Sequence, residues 1–220
     1  AIEIHAEKVS LFGTISVNGG AATCGGGGGA GGSVLIDADL VVGTGMMKSD
    51  GGETPCSSGS GGSGGRVALH TNENQYRGNI TAYGGKERSN NLGGKCGSAG
   101  TIYFEVGPVV DKRTRDLYVD NNGVVCDKEA QLMMDQNGVY DYRFNHVFIH
   151  GEGRVLLKRV ETTLSKSAIV TIGELNGDYT GHLTVGGGLV TLTLSGEDAQ
   201  RRTYTRKVYT KYQVVSPIEY

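Results

Sequence analysis

A strand-and-turn unit that recurs along the chain does most to restrict what it can fold into. Gly13-Thr14-Ile15-Ser16-Val17-Asn18-Gly19-Gly20 returns as Gly45-Met46-Met47-Lys48-Ser49-Asp50-Gly51-Gly52 and again as Gly78-Asn79-Ile80-Thr81-Ala82-Tyr83-Gly84-Gly85, at offsets of 32 and 33. A period of that length belongs to solenoids, in which each repeat buries its apolar face only by stacking on its neighbours. The chain is therefore expected to form a rod with regular sides, and 220 residues suit one such domain.

A second strand precedes each glycine-rich return. Ile2-Glu3-Ile4-His5, Val34-Leu35-Ile36-Asp37, Val67-Ala68-Leu69-His70 and Ile102-Tyr103-Phe104-Glu105 align at offsets of 32, 33 and 35, with the first and third residues apolar in all four. That alternation marks a strand with one buried face. Stacked, Ile2/Val34/Val67/Ile102 and Ile4/Ile36/Leu69/Phe104 become two inward ladders spaced about 4.8 Å along the axis. Downstream the pattern is fainter. Leu117-Tyr118-Val119-Asp120, Val147-Phe148-Ile149-His150 and Leu183-Thr184-Val185-Gly186 read as continuing the Ile15/Met47/Ile80 column at offsets of 37, 30 and 36.

The fold class expected is all-β, a parallel β-helix of about six coils with glycine-rich loops on one side. The solenoid spans 1–196. The charged run Glu197 to Arg202 then breaks the pattern, so that 197–220, with a strand over Tyr204 to Thr210, reads as a cap or connector. Helix signals are weak, and the best of them, Lys128 to Asp135, reads equally as a strand with a loop.

Glycine supplies 38 of the 220 residues, about 17% against a usual ~7%, without the strict period of collagen. It concentrates in Ala21 to Gly32, Glu53 to Gly65 and Lys86 to Gly100, which are too glycine-rich for crossover helices. These segments read as loops of polyproline-II character. The run Gly25 to Gly32 also matches a phosphate-binding fingerprint, but that motif needs a helix to follow it, and Ser33-Val34-Leu35-Ile36 is a strand. It lacks the Asp of the calcium-binding nonapeptide as well.

Cys24 and Cys56 each sit five residues after the first glycine of a Gly-Gly turn, at the same place in adjacent coils. Their Cα atoms should lie about 5 Å apart, within reach of a disulfide. Cys96 and Cys126 remain as a second pair between coils three and four. Free thiols or a metal site are the alternative, but the chain has no CxxC, and two bridges place it outside the cytosol. Asn79-Ile80-Thr81 is the only glycosylation sequon; alternation that turns Ile80 inward turns Asn79 and Thr81 outward, which marks Asn79 as the acceptor.

The column beside the first ladder reads His5, Asp37, His70, Glu105. Imidazole and carboxylate at one-coil spacing could hold zinc or calcium, yet opposite-type neighbours stabilise a sheet without any ligand. No metal and no cofactor is expected. His146, His150 and His182 show no comparable alignment. Polysaccharide-acting enzymes need clustered acids, and although Asp37, Asp39, Asp50 and Glu53 share a coil, their counterparts in the next are His70, Tyr83 and Lys86. No catalytic site is expected. An ice-binding face would show a flat Thr ladder, which Thr14/Met46/Asn79 is not.

With 21 Lys and Arg against 23 Asp and Glu, the net charge of −2 favours neither nucleic acid nor an anionic membrane. No stretch approaches the ~18 apolar residues of a membrane span, and no secretory leader opens at Ala1.

The glycine stretches leading straight into strands, Gly28-Gly29-Ala30-Gly31-Gly32-Ser33-Val34-Leu35-Ile36 and Gly61-Gly62-Ser63-Gly64-Gly65-Arg66-Val67-Ala68-Leu69, resemble glycine-rich β-solenoid segments of large secreted or cell-surface proteins. The resemblance covers residues 1 to 105 best. It implies an extracellular fibrous, adhesive or matrix role and carries no catalytic residues across. The expected function is a non-catalytic extracellular structural or adhesive module whose partners are other extracellular domains or copies of itself. The alternative is a polysaccharide-acting or carbohydrate-binding β-helix protein.

Overall fold

The computed structural model describes residues 1–55, 59–87, 95–134, 141–159, 168–186 and 190–194, and the backbone of 206–208 and 213–215. Strands β1 (Ile2–Ser10), β3 (Ser33–Gly43), β5 (Arg66–Tyr76) and β7 (Thr101–Val106) pair in parallel at one end of a nine-stranded sheet. Facing them, β2 (Thr14–Ser16), β4 (Met46–Lys48) and β6 (Asn79–Thr81) form a three-stranded parallel sheet. The expected ladders are in register: Ile2, Val34, Val67 and Ile102 stack in one column and Ile4, Ile36, Leu69 and Phe104 in the next. Ile36, Leu69 and Met47 are wholly buried, while Ile2, at the end of its column, is 36% exposed. The pairing skips Glu7, Asp39 and Asn72, and there the inward alternation changes phase, from Ala38 to Val41.

The glycine segments close each coil by packing backbone on backbone. Gly28 and Gly31 donate to Ser60 and Ser63 of the next coil, while Gly29 and Gly32 donate to Gly20 and Val17 of their own. Gly61 and Gly64, then Gly62 and Gly65, repeat this one coil on. A hydrogen-bond period of three is that of the polyproline-II helix, which makes no internal bonds and so turns every donor sideways. At the positions that face a neighbouring backbone, side chains have no room: a Cβ on Gly52 would collide with the Gly20 carbonyl, and one on Gly85 with the Gly52 carbonyl.

After β7 the chain doubles back. Gly107 takes a φ of +139°, a short 3-10 turn spans Val110–Lys112, and β8 (Thr114–Asp120) pairs antiparallel with β7. Residues directly opposite on antiparallel strands share a face. Ile102, which packs on the first core, lies opposite Tyr118; Tyr103 lies opposite Leu117, a member of a second core. The buried side of one continuous sheet therefore switches at the β7–β8 seam.

Beyond the seam, β10 (Asp141–His150), β12 (Ala168–Gly177) and β14 (Val190–Leu194) continue the large sheet in parallel with β8. They face β9 (Ala130–Met134), β11 (Arg154–Arg159) and β13 (His182–Gly186), and between the two sheets lie Leu117, Val119, Val147, Ile149, Val155, Leu157, Val170 and Ile172. Strands β15 (Arg206–Val208) and β16 (Gln213–Val215) add antiparallel to β14 and β13. The result is an all-β solenoid of about five turns, where the spacing predicts about six.

The seam corrects one expectation. Leu117 and Val147 belong to the large sheet and Leu183 to the sheet of β13, so none of them extends the Ile15/Met47/Ile80 column. Sequence offsets carry no information on strand direction, and the Gly107 to Arg113 turn reverses it. Part of Lys128 to Asp135 forms strand β9. The run Glu197 to Arg202 lies outside the described residues.

Candidate functional site

Cys96, in the third glycine return, is bonded to Cys126, in the loop after β8, with Cα atoms 5.8 Å apart. Both are buried, and the bridge ties the last glycine segment of the first stack to the second. Asn121 works at the same junction: its buried Oδ1 accepts from the Gly84 N–H at 2.9 Å, where the chain of a further coil would otherwise lie. Cys24 is disulfide-bonded as well, and Cys56, its expected partner, lies outside the described residues.

Asn79 is exposed, but Thr81 is buried, which corrects the outward placement of the sequon hydroxyl. Asp50 of the preceding coil reaches over it. The Thr81 hydroxyl donates to Asp50 Oδ2 and the Tyr83 N–H to Asp50 Oδ1, both at 2.9 Å. Asp39 is spent in a similar way, accepting from the Asn72 amide.

The column His5/Asp37/His70/Glu105 stands in register and meets partners of its own. His5 lies 2.8 Å from Glu3 and 3.6 Å from Asp37, and the Glu3 hydrogen bond holds its imidazole above the ordinary value. Glu105 lies between Arg113 at 3.7 Å and Arg115 at 3.4 Å and accepts from the Tyr103 hydroxyl at 3.1 Å. Burial first, then Glu105, pushes the Tyr103 phenol up. Among the described residues the grouping with metal-ligand spacing is Cys96, Cys126 and Asp127, and its two sulfurs are bonded to each other.

Reasoning from the sequence missed a second column. His146 lies 2.7 Å from Asp116 and 3.7 Å from Glu174, its neighbours on β8 and β12. Beside it Tyr118 and Phe148 stack with centroids 4.4 Å apart, and Phe104 meets Tyr118 edge-on at 5.6 Å. The steps from Asp116 to His146 and from His146 to Glu174 are shorter than those between the first coils, which hides this alignment from a template built on the upstream repeat.

The aromatic row floors a cleft of about 360 Å³ at the junction of the stacks, with Asn79 and Ile80 on one wall and Asp120 and His150 near the other. No helix among the described residues is long and apolar enough to cross a membrane. Compared with known protein families, with curated proteins and with solved structures, the chain matches none.

Proposed function

We propose that this chain is a non-catalytic structural or adhesive module of a larger extracellular protein, acting through its sides on other extracellular domains or on copies of itself. What supports this most is how its outward acids are used. Asp39 and Asp50 accept hydrogen bonds from the neighbouring coil, and Asp116 and Glu105 pair with His146 and with Arg113 and Arg115. Carboxylates committed in this way stiffen a rod. A hydrolytic pair instead needs one free acid and one free base flanking a bond.

The extracellular setting rests on the Cys96–Cys126 bridge, since such bonds persist in oxidising compartments. Asn79 is the proposed glycan acceptor. The test has two arms. Protein purified without reductant from its native source should show Cys96 linked to Cys126 and Cys24 to Cys56, with a mass shift at Asn79 on enzymatic deglycosylation. Four alkylatable thiols would overturn the extracellular reading. Turnover of a neutral or acidic polysaccharide, lost on Asp37→Asn or Asp50→Asn, would overturn the non-catalytic one.

A further inference from the structure

The two sheets that enclose the first core end at different heights. The large sheet runs on past β7 into β8 and β10, carrying Tyr118 and Phe148 on the side of the first core. The facing sheet has β6 as its last strand among the described residues. The cleft is the space left below β6.

Its upper wall is a strand edge with backbone groups to spare. The Asn79 N–H donates to the Gly45 carbonyl at 3.2 Å, and the Thr81 carbonyl accepts from the Ser49 N–H at 2.9 Å. Asn79 and Thr81 are thus the residues of β6 that bond to β4. Backbone groups of successive residues in a strand point to opposite sides, so the N–H and C=O of Ile80 face the cleft. The column above repeats a triplet with an apolar centre: Thr14-Ile15-Ser16, Met46-Met47-Lys48, Asn79-Ile80-Thr81. Phe104, Tyr118 and Phe148 form the apolar floor on which the centre of a next triplet would rest. At one side lies Asp120, whose Oδ1 accepts from the Asn122 N–H at 2.6 Å and which has no cationic partner among the described residues. The phenol of neighbouring Tyr83 is raised by burial and, next, by the Asp120 charge.

We propose that this cleft receives an extended peptide segment, which adds to β6 as a parallel fourth strand with an apolar residue over the Phe104/Tyr118/Phe148 floor and a basic residue beside Asp120. Main-chain bonds to Ile80 hold the segment, and the floor and the carboxylate select its side chains. A volume of about 360 Å³ suits a few side chains of a strand and excludes a folded element. The site does not depend on the compartment in which the module works.

The test uses the full chain and a blocked, fluorescently labelled hexapeptide, Gly-Thr-Ile-Lys-Val-Asn, read by anisotropy. Saturable binding is expected, with loss when the Ile is moved by one position. Ile80→Pro removes the free N–H while sparing the β4 pairing and should weaken binding about tenfold; it also trims a side chain packed on the first core, so the melting temperature should fall and binding is read well below it. Should Ile80→Pro fail to fold, N-methylation of the single peptide amide that reaches the Ile80 carbonyl gives the same readout on the native chain. Asp120→Asn should weaken binding about threefold and flatten its salt dependence. Absence of binding, equal binding of the shifted peptide, indifference to both Ile80→Pro and N-methylation, or displacement of the peptide by a neutral oligosaccharide would each overturn the proposal.

Discussion

The two stacks share one sheet but are held together by different means. In the first, coils of nearly constant length close through glycine segments whose backbones touch, and the hydrogen bonds run between coils at every third residue. In the second, the coil step shortens from one turn to the next, as the paired residues Leu117 and Val147, then Val147 and Leu175, then Val170 and Leu192 show. Cohesion there comes from side chains such as Val147, Val155, Val170 and Ile172 between two sheets. Backbone-on-backbone packing allows neither a side chain nor a change of length, whereas a side-chain core asks only for apolar residues at alternate positions. Only the first kind writes a repeat into the sequence.

The sharpest way to break this contrast is to put a methyl group into the glycine array. Gly20, Gly52 and Gly85 occupy one column; the Cβ of the last two would meet a carbonyl of the preceding coil, and that of Gly20 meets nothing within 4 Å. Gly52→Ala or Gly85→Ala should cost about 4 kcal/mol or more, because backbone cannot step aside as a side chain can. Gly20→Ala should fall within about 0.5 kcal/mol of the parent. Urea melts of the three variants check this. Equal losses at all three would show that the array is not what holds the first stack.

The bridge between the stacks comes next. Cys96→Ser combined with Cys126→Ser opens a loop whose ends are 30 residues apart, which the chain-entropy relation values at about 3 to 4 kcal/mol. Hydrogen exchange should quicken first in Gly97 to Gly100, beside the opened bridge, and last in β10 and β12. Uniform quickening would make the two stacks one cooperative unit.

A smaller loss is expected from Asn121, which offers the first stack a carbonyl in place of the coil it lacks. Asn121→Leu keeps the branched shape but strands the buried Gly84 N–H and takes the donor from the Val124 carbonyl, for about 1 to 3 kcal/mol. Asn121→Asp keeps the acceptor and should recover part of that in a denaturant melt. Equal losses for the two variants would remove the capping role.

These contrasts also explain what could be read in advance. The ladders of Ile36 and Leu69 were legible because two periodicities, alternation within a strand and a nearly constant offset from coil to coil, agree on the same residues. The seam was not. Arg113 and Arg115, which hold Glu105 there, look in sequence like any exposed turn charges, and the alternation of β8 reads the same whichever way the strand runs. The same reversal concealed the cleft, because the floor of Tyr118 and Phe148 lies on the face opposite the core of their own stack. The sequon misled for a local reason: alternation sets the direction of Thr81 but not whether Asp50 of the preceding coil covers it.

The smallest expected effect separates the stacks by pH. The loop that closes a coil of the second stack is fastened by a carboxylate: Asp178 accepts from the Gly151 N–H at 2.8 Å and from the Thr180 hydroxyl and N–H at 2.6 and 3.1 Å. Burial pushes its carboxyl up, but these bonds outweigh that and hold it at about 2. Because the folded value lies below the ordinary one, the bonds contribute fully above about pH 4 and are lost as pH falls from there through about 2. Asp178 is exposed, so the loss should stay within about 1 kcal/mol. The matching closures of the first stack are amide-to-carbonyl bonds, which do not titrate over this range. Acid should therefore quicken amide exchange at Gly151 and Thr180 while leaving Gly29 and Gly62 unchanged. Thr180→Ala, which removes one donor, should raise the Asp178 midpoint in a carboxyl NMR titration. A midpoint already at the ordinary aspartate value in the parent protein would refute this, and so would exchange at Gly62 that follows Gly151 through the same pH range.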